Sequence, residues 1–173
     1  MTEYCFIRLG WRSLFLPLLL IVVVQLAACA GGRGRVETAT VRRIDQTCYL
    51  TDDGCRIDLK FIDWVDWDTM VVFPAGTDDS EIRTVLKTDA LAGSRPPISI
   101  VIALTKDGKV VYMEDDPRSI EGYDPDDVEF EATNPAERYS KFGRDAVLEV
   151  HRRSLRRDRF YYGLYCVNCG DSD

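Results

Sequence analysis

The longest uncharged stretch of the chain runs from Ser13 to Gly32. Beyond it, apolar residues recur with the spacing of folded elements. Ile57, Leu59 and Phe61 alternate with Arg56, Asp58 and Lys60, the period-two pattern of a half-buried strand. Residues 47–51 and 55–62 flank Asp52-Asp53-Gly54, and Asp-Gly between such segments predicts a hairpin. Residues 67–73 read as a more deeply buried strand, because Met70, Val71, Val72 and Phe73 are contiguous; Pro74-Ala75-Gly76 ends it. Ile82, Val85 and Leu86 then fall at helical spacing. With Thr77 or Asp78 as a cap, and Asp79 and Glu81 near the positive end, they predict a helix over 78–87. Pro96-Pro97 opens a strand over 98–105, Lys106-Asp107-Gly108-Lys109 turns, and 110–114 returns. A last hairpin joins 146–152 to 160–167 across a basic connection. Residues 115–133 are acidic and irregular, and 36–47 carry no strong period and receive no assignment. Short antiparallel connections with one clear helix predict an α+β fold: an antiparallel β-sheet of hairpins with one main helix packed on a face.

The uncharged stretch belongs to a different kind of segment. Arg8 and Arg12 against Glu3 make a weakly basic start, residues 14–24 are apolar, and Leu26-Ala27-Ala28 precedes Cys29. This is the order of a bacterial secretory signal ending in a lipobox. Small side chains let the backbone enter a peptidase, and the Cys29 thiol is the nucleophile that takes a diacylglyceryl group. The competing expectation is an uncleaved membrane helix, for which 13–32 is long enough. Pro17 and Gln25 interrupt it, however, and Gly31-Gly32 follows where a basic stop-transfer cluster belongs. The expected organisation is therefore a signal peptide over 1–28, a lipidated tether over 29–35 and one globular domain over 36–173. Ala30 after the cysteine resembles the outer-membrane sorting pattern of bacterial lipoproteins, which implies the periplasmic face of the outer membrane.

Removing the signal takes two basic residues and one acidic residue, leaving 20 and 28 in a chain of 145 residues, a formal charge of −8. That is enough chain for a core of its own. The charge argues against nucleic acid as a partner. Four cysteines remain besides Cys29: Cys48, Cys55, Cys166 and Cys169. In an oxidising compartment an even four suggests two disulfides. Short loops favour Cys48–Cys55 with Cys166–Cys169, and the two crossed schemes stay open.

Residues 67–74, Trp-Asp-Thr-Met-Val-Val-Phe-Pro, are followed by Thr77 and Glu81-Ile82, then by the Lys106–Lys109 turn and Pro117-Arg118. This resembles uncharacterised bacterial lipoproteins and secreted proteins with a Trp-Asp strand, a Phe-x-Pro-Tyr-Thr segment and a Glu-Ile helix. The chain departs from that pattern at Ala75-Gly76, where the family has Pro-Tyr. The resemblance implies an extracytoplasmic domain and no particular activity.

Several groups of residues could carry chemistry. Cys166-Val167-Asn168-Cys169 is a C-x-x-C, but redox versions place the first cysteine at a helix start, and here a strand precedes it. A zinc site with Cys48 and Cys55 is the weaker expectation beside disulfides. Asp63, Asp66 and Asp68 beside Trp64 and Trp67 have the composition of a glycan-hydrolysing site, although at least one tryptophan is expected in the core. Glu114, Asp115, Asp116, Glu121, Asp124, Asp126, Asp127, Glu129 and Glu131 lack the spacing of a calcium loop and read as a solvated segment. His151, the only histidine, reads as a strand residue. Arg152, Arg153, Arg156, Arg157 and Arg159 form a basic cluster in an acidic protein, the candidate surface for an acidic partner or anionic lipid. No catalytic residue, metal or cofactor is assigned. The expected function is that of a lipid-anchored envelope protein, a non-enzymatic binding or structural module held to the membrane through Cys29 with a protein partner in the envelope. Rival readings are an inhibitor or immunity-type lipoprotein and a cell-wall glycan hydrolase.

Overall fold

A computed structural model describes residues 33–48, 54–88, 98–117, 126–131, 138–154 and 160–169. Residues 1–32, with Cys29 and the expected signal segment, lie outside them. Among the described residues there are two α-helices, α1 (Arg35–Cys48) and α2 (Asp79–Leu86), and eight strands. The strands are β1 (Cys55–Asp58), β2 (Thr69–Phe73), β3 (Ser99–Lys106), β4 (Lys109–Pro117), β5 (Val128–Phe130), β6 (Ser140–Gly143), β7 (Val147–Ser154) and β8 (Phe160–Cys166). They form two four-stranded sheets, ordered β1-β7-β8-β5 and β4-β3-β2-β6. All pairings are antiparallel except β5 with β8. The fold is α+β, as the pattern of short hairpins predicts. No described helix is long and apolar enough to cross a membrane.

The main core lies between the inner faces of the two sheets. Ile57, Leu148, Val150, Leu164 and Val128 enter it from the first sheet, and Met70, Val72, Ile100, Ile102, Leu104 and Phe142 from the second. On the other face of the second sheet, Val71, Phe73, Val101 and Ala103 meet Ile82 and Leu86 of α2. A strand buried on both faces needs apolar residues at every position, which is why β2 and β3 read as unbroken hydrophobic runs. α2 is the helix predicted over 78–87. Asp78 is its N-cap residue, and Lys87, at φ 50°, ends it in the left-handed conformation. The β3–β4 turn is also as predicted: Asp107 (φ 50°) and Gly108 (φ 71°) both take positive φ, as a two-residue primed hairpin turn requires.

Three expectations are corrected. Residues 47 and 48, expected to open a strand, belong to α1, and β1 pairs with β7; the rest of the expected first arm, 49–51, lies outside the described residues. Strand alternation in that second arm stops at Asp58. Its carboxylate accepts from the Lys60 N–H at 3.0 Å, and residues Leu59–Phe61 turn into a 3₁₀ helix that buries Ile62 in place of Phe61. The segment 115–133 is not irregular throughout, because β4 continues to Pro117 and β5 occupies Val128–Phe130.

α1 falls in the segment that received no assignment. Val36, Thr40 and Ile44, spaced by four, turn inward. Thr40 lies in this buried stripe because its hydroxyl donates to the Val36 carbonyl at 2.8 Å. The first turn is capped from far away. The Glu114 carboxylate of β4 accepts from the N–H groups of Val36 (2.9 Å) and Glu37 (3.3 Å). Glu37 in turn accepts from the Val128 N–H of β5 at 3.0 Å. At the other end, the Cys48–Cys55 disulfide ties α1 to the first residue of β1.

Candidate functional site

The first sheet presents its polar face outward. Register places Arg56 beside Glu149, Glu149 beside Tyr165, His151 beside Gly163, and Gly163 beside Glu129. Two small networks result. Glu149 accepts from Arg56 at 3.4 Å and contacts the His151 Nε2 at 3.0 Å. Glu131 accepts from Arg153 at 2.7 Å and from the Tyr165 hydroxyl at 3.0 Å. Gly163 makes the second network possible: a Cβ there would lie 3.0 Å from the Arg153 Nε. A shallow depression of about 480 Å³ is lined by His151, Arg152, Arg153 and Tyr165.

The structure divides the predicted basic cluster. Arg152 lies within β7 as the expected strand over 146–152 has it, and β7 continues through Arg153 to Ser154, beyond that expectation. Arg153 is half-buried and belongs to the Glu131–Tyr165 network. Arg152 is exposed, with its guanidinium 3.7 Å above the Phe160 ring. Arg156, Arg157 and Arg159 lie outside the described residues.

The cysteines pair locally, Cys48 with Cys55 and Cys166 with Cys169, the scheme favoured by loop length. The second bridge encloses Asn168, whose side chain accepts from the Val147 N–H at 2.7 Å and donates to the Asp145 carbonyl at 3.1 Å. That C-x-x-C thus closes the far end of the β7–β8 hairpin.

The aspartate–tryptophan group also resolves into separate parts. Trp67 is core, its indole donating to the Ile62 carbonyl at 2.8 Å. Asp66 pairs with Arg144 (3.5 Å) and Lys106 (3.7 Å). Asp68 accepts from the Asp107 N–H at 2.8 Å, and this bond is the main cause of its lowered pKa. Lys60, Asp68, Lys106 and Arg144 line an open cleft of about 630 Å³. Trp64 is partly buried against the main core, edge-on to Tyr112 with ring centroids 4.7 Å apart and with the Arg35 guanidinium 3.9 Å over its face.

Three of the acidic residues expected in a solvated segment, Glu114, Asp116 and Asp127, are instead buried; Asp127 pairs with Arg33 at 3.7 Å, and Glu131 holds Arg153. Glu121 and Asp124 lie outside the described residues. Sequence reasoning missed Glu114, Glu37 and Asp127 as structural residues. One signal was present: Glu114 and Asp116 share the parity of Tyr112, and register sets them opposite the inward-facing Ile102 and Ile100. Tyr112 donates to Glu114 at 2.8 Å. Burial first, and this bond second, raise its pKa from 10.0 to about 12. Among the described residues, no three histidine, cysteine or acidic side chains converge as metal ligands. Comparison of the chain with protein-family profiles, with curated proteins and with solved structures found no match.

Proposed function

We propose that this is a lipid-anchored protein of the bacterial cell envelope that acts as a binding or structural module. The observation that carries this reading is Leu26-Ala27-Ala28-Cys29 at the end of an uncharged run, a few residues before α1. Two disulfides in a domain of this size support it, since such bonds persist in oxidising compartments. Two or three acyl chains on Cys29 hold a membrane stably, whereas one binds marginally. The binding role rests on an exposed charged surface, the outward polar face of the β1-β7-β8-β5 sheet. Its partner is a protein of the envelope, and the partner's identity sets the biological role.

The test is Cys29→Ser expressed in a bacterial host with a metabolic fatty-acid label. The wild-type chain takes the label and loses about 3 kDa of leader, roughly 28 residues at ordinary residue mass. The variant stays unlabelled at full length. A variant that is still cut and acylated refutes the reading.

A further inference from the structure

One end of the domain gathers arginines on aromatic rings. Arg35 lies over Trp64, which is edge-on to Tyr112, and Arg152 lies over Phe160. Three contacts link the elements that carry these stacks. Arg33 pairs with Asp127, the Glu37 carboxylate accepts from the Val128 N–H, and the Phe160 carbonyl accepts from the Asp126 N–H at 2.9 Å. The start of α1, the start of β5 and the start of β8 therefore share one end of the fold. β7 finishes there too, because Ser154 pairs with Phe160. The connection between them lies outside the described residues.

The same end is where the chain leaves toward Cys29. Four positions separate Cys29 from Arg33, a span of at most about 14 Å when fully extended. The capping of α1 by Glu114 fixes the exit point against β4. On the lipid-anchor reading, an acyl chain on Cys29 keeps the start of α1 close to the bilayer.

We propose that this end seats on the anionic phospholipid headgroups of the membrane that holds the Cys29 acyl chains. The inference rests on the lipid-anchor reading. Its chemistry is that of an interfacial surface: a part-exposed tryptophan sits well at headgroup depth, and arginine pairs with phosphate. A guanidinium stacked on a ring directs its N–H fork along the ring plane, the geometry that meets phosphate oxygens. The mature chain carries a formal charge of −8, so an anionic surface repels the domain except where cations gather. That asymmetry orients it. The outward polar face of the β1-β7-β8-β5 sheet then stands along the membrane normal, open to partners from the side.

The mature chain has two tryptophans, Trp64 and the core residue Trp67, so Trp64 reports on this end. Mature protein is reconstituted into phosphatidylcholine vesicles with or without phosphatidylglycerol, some carrying a nitroxide on the lipid headgroup. The Trp64 signal is the difference between wild type and Trp64→Phe. Nitroxide quenching of that signal is expected to be at least about twofold greater with phosphatidylglycerol, and the gain to shrink at high salt. Arg35→Gln with Arg152→Gln returns it to the phosphatidylcholine level. Equal quenching in both vesicles, or a double variant that quenches like wild type, overturns the proposal; the first result assigns this end to an acidic protein partner. Intact mass of the same sample separates the two readings. Acylated but unquenched protein sinks only the docking, whereas protein without acyl chains sinks the anchor. In that case the same protein mixed with the two vesicle types still reads the surface, with the same expected contrast.

Discussion

Glu114 shows how one side chain can decide a distant element. Its carboxylate supplies the cap that the sequence before α1 lacks, satisfying two N–H groups in a buried place. Gly34 stands against that carboxylate, and any Cβ there collides with it. Glu114→Ala is expected to cost about 2–4 kcal/mol, the loss of a cap and of charge-assisted bonds to buried donors. Gly34→Ala pushes the same carboxylate aside, so the two substitutions act on one interaction. A double-mutant cycle by urea denaturation should therefore show strong non-additivity; independent effects would separate Gly34 from the cap. Tyr112 belongs to the same cluster and gives a pH signature. Its folded pKa of about 12 lies above the reference value of 10.0. A phenol that ionises later when folded contributes stability that is complete below pH 10 and lost as the pH rises toward 12. Spectrophotometric titration at alkaline pH should show a late phenol that disappears in Tyr112→Phe. Tyr162, also raised by burial and by Asp45 and Asp126, remains in that variant.

The elements divide by where their determinants lie. The β3–β4 hairpin was legible because Asp107-Gly108 encodes its own turn, and α2 because its boundary residues adjoin it. The paired cysteines were legible for the same reason of short separation. α1 was not, since its cap comes from β4 and the middle of its buried stripe is a threonine. The parallel pairing of β5 with β8 and the place of β6 beside β2 depend on contacts far apart in sequence, which no local period announces. The candidate surface was legible in part: composition picked out the arginines, but only the fold separates Arg153 from Arg152. Arg153 crosses the space left by Gly163 to reach Glu131, and so stabilises the sheet. Arg153→Gln is expected to lower stability by about 1 kcal/mol and Arg152→Gln by less than about 0.5 kcal/mol. Thermal melts of the two single variants check this. Equal small shifts would return Arg153 to the exposed surface.

At the scale of the whole molecule, the two disulfides sit at the end of α1 and at the end of β8. Each closes a short loop, worth about 2–2.5 kcal/mol in the chain-entropy model. Thiol titration of the purified domain should find no free thiol among Cys48, Cys55, Cys166 and Cys169. Replacing Cys48 and Cys55 together by serine should lower the unfolding free energy by about that amount and leave the two sheets intact. Loss of all strand signal in circular dichroism would give this bridge a larger role in folding.

The Cys48–Cys55 bridge also matters under traction. A pull on the amino-terminal end loads Arg33 first, then the Glu114 and Glu37 contacts, and α1 begins to peel from the core. Peeling cannot pass residue 48, because the bridge hands the load directly to β1 and bypasses residues 49–54. Only α1 can be paid out before the β1–β7 ladder is strained. Stretching its 14 residues releases roughly 30 Å. In an optical trap the first yielding step should have about that length, and reduction of the disulfide should lengthen it. The helix is then a short extensible leash with a covalent stop, and the sheets behind it keep their form while the tether gives.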